Sequence, residues 1–185
     1  MRKLSIISGL LCVLALSSIC PAQEMPEMPK PTKEHELLSQ FTGKWKSRAE
    51  ATMAPGEEPM VCEGTETSRL MGGFFLVQEG EANMMGTPMS SLMTIGYDAA
   101  KKKYVGTFVC SAGGDLWIYE GSMDASSKKL TLNTEGPNMA DPTKQAKYRE
   151  ALQLVDADHK VFTSEMDAGD GKWQPIVKVT YERVK

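Results

Sequence analysis

The hydrophobic pattern of this chain changes period once. Between Thr32 and Phe41 the apolar positions Leu37, Leu38 and Phe41 share one helical face, which predicts a short helix from Lys33 to about Gln40, capped by Thr32. Glu34 and Glu36 fall in its first turn, where the helix dipole favours anions. After Phe41 the period becomes two and stays so. Alternating runs are read at 43–53, 60–70, 74–82, 88–97, 103–110, 115–121, 129–134, 147–155, 160–166 and 173–184. Turn-forming clusters such as Ala54-Pro55-Gly56, Met71-Gly72-Gly73, Asp98-Ala99-Ala100-Lys101 and Gly169-Asp170-Gly171 separate them. Only 135–146, which holds Pro137 and Pro142, makes a longer connection.

Connections this short join antiparallel neighbours, because a parallel crossover needs about a dozen residues. Ten sequential antiparallel strands fold as a sandwich or as a barrel. An unbroken meander entered by a single helix favours the barrel, which leaves no strand edge exposed. The expected fold is therefore all-β: about ten antiparallel strands in an up-and-down barrel with a short N-terminal helix. A barrel of roughly that many strands is wide enough inside to hold one small ligand.

The first residues read differently. Arg2-Lys3 precedes an apolar run from Leu4 to Ile19, shorter than the roughly 20 residues of a membrane-spanning helix. A basic start, a short apolar stretch and small residues at Cys20 and Ala22 describe a secretory signal peptide cleaved after Ala22. The alternative is an uncleaved anchor. Cys20 follows Ile19 and Cys12 follows Leu11, which does not suit a lipid-modified cysteine. The expected organisation is a signal peptide over 1–22, a flexible proline-rich leader over 23–31 and one barrel domain over 32–185. The location is then periplasmic or secreted.

Composition sharpens this. Of 185 residues, 41% are hydrophobic and 24% charged, as in ordinary globular proteins. Removing Arg2 and Lys3 from the 21 basic residues leaves 19 against 24 acidic, a formal charge of −5. That balance speaks against nucleic-acid binding, and the pattern against stable membrane insertion. Of four cysteines, only Cys62 and Cys110 remain after cleavage; in an oxidising compartment they form either a disulfide or two buried thiols.

Gly43-Lys44-Trp45 opens the first strand, where glycine permits a tight turn out of the helix and the indole can plug one end of a barrel. In an up-and-down barrel the last strand closes beside the first, so Arg183 would lie across Trp45 as a cation–π partner. This arrangement resembles the calycin superfamily of lipocalins and fatty-acid-binding proteins. The stretch Leu70-Met71-Gly72-Gly73-Phe74-Phe75-Leu76-Val77-Gln78-Glu79 is similar to the "LGGRFLVQE" segment of a secreted bacterial family, domain of unknown function 1579. Gly96-Tyr97-Asp98 followed by Lys102-Lys103-Tyr104-Val105 resembles its "GYD…KKYV" hairpin, and Glu120-Gly121, Asp141-Pro142, Tyr148-Arg149-Glu150 and 156–162 extend the similarity in order. The resemblance implies a calycin-like barrel and brings no activity or catalytic residues. Val179 stands where the fatty-acid-binding pattern Arg-x-Tyr has its carboxylate-binding arginine.

Polar residues on inward faces are the remaining signal. Tyr148, Glu150, Leu152 and Leu154 share one face, so Glu150 points with the apolar set and is either a binding group or half of a register-fixing ion pair. Glu79 and Glu120 are expected to approach the same cavity, with Tyr97, Trp117 and Tyr119 as aromatic walls. Met84, Met85, Met89 and Met93 cluster within ten residues. Thioethers bind Cu(I), line adaptable apolar pockets, or simply pack. These four alternate across a loop and a strand, so all four cannot face one ion, and Met89 and Met93 are taken as pocket residues. Asp156, Asp158 and His159 read as a hairpin turn rather than a metal cluster. Signatures of a nucleophile elbow, metal-binding helix, phosphate loop or Cys-x-x-Cys are absent. No metal, cofactor or catalytic residue is expected. The leading functional reading is a non-catalytic barrel binding one small, largely apolar molecule. The alternatives are an enzyme using a buried acid in the barrel and an envelope interaction module with a packed barrel. Oligomeric state is not readable.

Overall fold

The computed structural model describes residues 27–52, 58–139, 141–169 and 171–185. The expected signal peptide and the first residues of the leader lie outside the described residues. Residues 27–30 carry no helix or strand. From Pro31 onward the chain forms one compact unit.

The expected single helix is instead two pieces, α1 (Lys33–Leu37) and a 3-10 segment (Leu38–Phe41). Thr32 flanks α1, and its backbone N–H donates to His35 Nδ1 at 3.0 Å. The tightening beyond Leu37 has a local cause. Ser39 Oγ donates to the Glu36 carbonyl at 2.6 Å and Thr42 Oγ1 to the Ser39 carbonyl at 2.7 Å, so side chains take over carbonyls at the end of the helix.

Ten strands follow: β1 (Gly43–Ala51), β2 (Met60–Met71), β3 (Phe75–Met84), β4 (Thr87–Asp98), β5 (Lys103–Cys110), β6 (Trp117–Met123), β7 (Lys129–Pro137), β8 (Gln145–Leu154), β9 (His159–Asp167) and β10 (Trp173–Arg183). Each pairs antiparallel with its chain neighbours, and β1 pairs with β10 to close the ring. The closing register sets Trp45 opposite Arg183 and Ala51 opposite Val177. Pro175 is accommodated by a register shift between Pro175 and Val177, since proline has no N–H for a regular ladder.

Alternation sorts the side chains. Leu76, Ile95, Tyr104, Tyr119, Leu130, Leu132 and Leu152 are buried in one core cluster. The outer face carries ion pairs between neighbouring strands: Arg48–Glu63, Arg69–Glu79, Lys103–Glu120 and Arg149–Glu165. Charges placed along an outer barrel face are disfavoured against lipid. Among the described residues no helix is long and apolar enough to cross a membrane.

Candidate functional site: the barrel lumen

One end of the barrel is sealed. Leu38 and Phe41 are fully buried there. The Tyr104 hydroxyl donates to the Glu34 carbonyl at 3.0 Å, and Gln40 Nε2 to the Ser127 carbonyl at 2.7 Å. His35 stands edge-on to Phe74 and Tyr97, with centroids 5.1 and 5.8 Å away. Trp45 is fully buried under the Arg183 guanidinium, whose carbon lies 4.0 Å from the ring centroid. Arg183 Nη1 also donates to the Thr42 carbonyl and its Nε to the Ala157 carbonyl. Gly43 makes the turn into β1 with φ +133°, and a Cβ there would stand 2.2 Å from Arg183 Nη1. Glycine at 43 thus supplies both the backbone conformation and the room for closure.

Above this seal, Glu66 on β2 gathers donors from three strands. It accepts from Lys160 Nζ (2.5 Å), Gln78 Nε2 (2.9 Å) and Ser68 Oγ, and its charge, with burial, pushes the nearby Tyr181 hydroxyl up. Lys160 has no exposure and lies between the rings of Trp45 (4.5 Å) and Tyr181 (4.6 Å). Burial pulls the Lys160 ammonium below its usual range, while Glu66 opposes that shift. The pair spans the closing seam, since β1 and β10 lie between β2 and β9.

The other half of the lumen is open space, a cavity of about 430 Å³. Small inward residues make it: Ala49, Ala51, Gly80, Ala82 and Ser91 line its wall. Sulfur-bearing side chains form much of the rest, namely Met60, Met84, Met89, Met93, Met139, Cys62 and Cys110. The Trp117 indole packs edge-on to Tyr148, with centroids 5.0 Å apart, and lies over Gly136, where a Cβ would come within 2.3 Å of the ring. A side chain at 136 would collide with the indole.

Glu150 is the cavity's distinctive polar residue. It is 7% exposed, its carboxyl accepts from Ser164 Oγ at 3.1 Å, and the Tyr119 hydroxyl stands close enough to favour its ionised form. Oε2 is buried with no hydrogen-bond partner among the described residues. Burial pushes the carboxyl up to about 7, against the pull of those two hydroxyls. Gln78, 4% exposed, presents a second such atom, its Oε1.

The residues singled out from sequence are placed as follows. Trp117, Glu150, Met89 and Met93 line the cavity, together with Tyr119. Glu79, Glu120 and Tyr97 do not. On β3 the inward positions are even-numbered, so Glu79 faces out and pairs with Arg69 at 3.4 Å. Glu120 likewise faces out between Lys101 (2.9 Å) and Lys103 (2.7 Å), which hold its carboxyl down at about 2. Tyr97 points inward but lies at the sealed end, 5.2 Å from Tyr104. Met85 sits on the β3–β4 turn, 88% exposed and apart from the other three methionines of its cluster.

Cys62 and Cys110 are free thiols. In the ladder Cys110 faces Ser91, Ser91 faces Gly80 and Gly80 faces Glu66, so Cys62 lies three strands and four residues away. Strands are about 4.8 Å apart and disulfides need Cα atoms within roughly 7 Å, so the expected pairing option fails on distance. The turn at Asp156 is held as expected, by Asp158 N–H and His159 Nδ1, both at 2.8 Å from Asp156 Oδ1. Among the described residues no group of His, Cys, Asp and Glu side chains is arranged to hold a metal ion.

Glu66 and Lys160 escaped the sequence reading. Every second residue of β2 from Cys62 to Ser68 is small or polar on both faces, so hydrophobicity gives no inward set there. Lys160, at the start of β9, looks like a solvated lysine until the closing seam is in place.

The model of a family described as "Protein of unknown function (DUF1579)" matches residues 30–183. The chain belongs to the DUF1579 family. Among solved structures, this DUF1579 barrel is similar to Rv2717c from M. tuberculosis, at 14% identity over 84% of this chain and 100% of that one, with a TM-score of 0.56. That likeness concerns the fold alone. The DUF1579 chain also matches a de novo designed fluorescence-activating β-barrel at 12% identity, over 80% of this chain and 98% of that one, with a TM-score of 0.46. No curated protein matches the chain.

Proposed function

We propose that this DUF1579 protein is a non-catalytic binding barrel for one small, largely apolar molecule that places a single polar group at Glu150. The observation that carries the reading is a cavity of about 430 Å³ with an apolar, methionine-rich wall and one buried carboxyl oxygen left unpartnered. Ligand sites are typically of this kind: apolar walls with a few convergent polar groups. Flexible methionines suit a wall that must fit its occupant. A barrel packed shut, as an interaction module would have, does not suit an empty half-lumen.

The location proposed with this function is the periplasm or the extracellular space, reached by cleavage after Ala22. The basic, apolar and small-residue order of residues 1–22 supports it.

Native mass spectrometry of the protein purified from its own host tests both points. The expected spectrum shows a chain beginning at Gln23 with a small-molecule adduct that collisional activation removes. A bare polypeptide mass, with the added mass of every candidate extract component absent, would count against the binding reading. Retention of Met1 would count against export by cleavage.

A further inference from the structure

Among the described residues three buried side-chain polar atoms have no hydrogen-bond partner: the donor Trp45 Nε1, which lies at the sealed end beneath Arg183, and two atoms of cavity-lining residues, both acceptors. Gln78 donates its Nε2 to the Glu66 carboxylate, and turning the amide over would set oxygen against oxygen, so Oε1 is fixed as an acceptor directed away from Glu66. Glu150 Oε2 is likewise buried and unpartnered. Gln78 is on β3 and Glu150 on β8, five strands apart in either direction around a ring of ten, so they lie on opposite walls.

The charged residues around the cavity are Glu66, Glu81 and Glu150, with no lysine, arginine or histidine among the described lining residues. Lys160 and Arg183, inside the barrel beside the seal, are committed elsewhere. Lys160 is bonded to Glu66 and enclosed by Trp45 and Tyr181, and Arg183 is bonded to the carbonyls of Thr42 and Ala157. On β10 the cavity-lining residue two positions before Tyr181 is Val179, which can bind no anion.

We propose that the lumen selects amphiphiles whose polar head donates hydrogen bonds, primary amines before alcohols, and discriminates against fatty carboxylates, with Glu150 receiving the head. This rests on the binding reading above and specifies its ligand class. An ammonium head would make a charge-assisted bond to the Glu150 carboxylate where water does not compete. An alcohol would donate to the same carboxylate but bring no countercharge. A carboxylate would set a second negative charge beside Glu150 with no cation to offset either. Gln78 offers the same acceptor chemistry on the opposite wall to a molecule with a donor at its other end.

Isothermal titration of the mature chain at pH 8 with decylamine, decanol and decanoate, one apolar tail with three heads, tests this. The amine is expected to bind about tenfold more tightly than the alcohol, and the carboxylate about tenfold more weakly than the alcohol. Glu150→Gln should bring the amine to the level of the alcohol, because both heads then donate to a neutral amide oxygen. Decanoate binding as tightly as decylamine would overturn the selectivity and leave the binding reading standing. An amine preference unchanged in Glu150→Gln would overturn Glu150 as the receiving group. Failure of all three to bind would overturn the binding reading and the selectivity with it.

Discussion

Glu150 is the one buried carboxyl of the cavity wall with an oxygen left unpartnered among the described residues. Its position was legible because residues 148–154 alternate strongly, with Tyr148, Leu152 and Leu154 all buried on its face. Glu79 and Glu120 were misplaced because each stands at the end of an apolar run, and parity alone, invisible until the strand register is known, turns them outward. The raised Glu150 carboxyl has a consequence for stability. Below about pH 4.5, the group's ordinary value, folded and unfolded chains both hold the proton and the residue makes no difference between them. Between there and about pH 7 only the folded chain keeps it, so stability falls as pH rises. Above pH 7 the folded barrel carries a buried charge and is less stable by about 3 kcal/mol. Tyr119 and Tyr148, the titratable neighbours, are both pushed upward by burial and stay neutral through this window. Glu150→Gln is therefore expected to raise the midpoint of unfolding at pH 8 and to change it little at pH 4.5. Melting curves showing the same difference at both pH values would contradict this.

At the scale of elements, the ten strands were readable because short connections and period-two runs both point to antiparallel neighbours. Their ends moved by a few residues only. The helix was read as one piece because the apolar face continues through Phe41, whereas Ser39 and Thr42 divert carbonyls into a 3-10 turn. What holds the seam was not readable. The Glu66–Lys160 pair joins strands 94 positions apart in sequence, and no local pattern announces it. Removing one partner of such a pair strands a buried charge. Lys160→Met is expected to destabilise the barrel by about 3–5 kcal/mol in urea unfolding. Adding Glu66→Gln should restore most of that loss, because the remaining donors from Ser68 and Gln78 meet a neutral amide. A double variant as unstable as the single one would show that the lysine contributes by packing between Trp45 and Tyr181, rather than by pairing.

For the whole molecule, the sequence carried the barrel but not its hollow half. Volume depends on which inward positions are small, and Ala49, Ala51, Gly80, Ala82 and Ser91 come from separate runs that look unrelated until closure brings them around one space. The methionine excess finds its place in the same way. Met60 and Met139 join Met84, Met89 and Met93 on that wall from distant parts of the chain, while Met85, adjacent in sequence, remains outside. The sealed end is filled by Leu38, Phe41 and Trp45, so the barrel is closed at that end and open space lies beside its inner acidic group. The most direct measurement is a titration with 1-aminoanthracene, followed by energy transfer from tryptophan to the dye. Saturation at one dye per chain is expected, with the transfer diminished in Trp117→Phe because that indole lines the cavity. A signal that rises without saturating would contradict it.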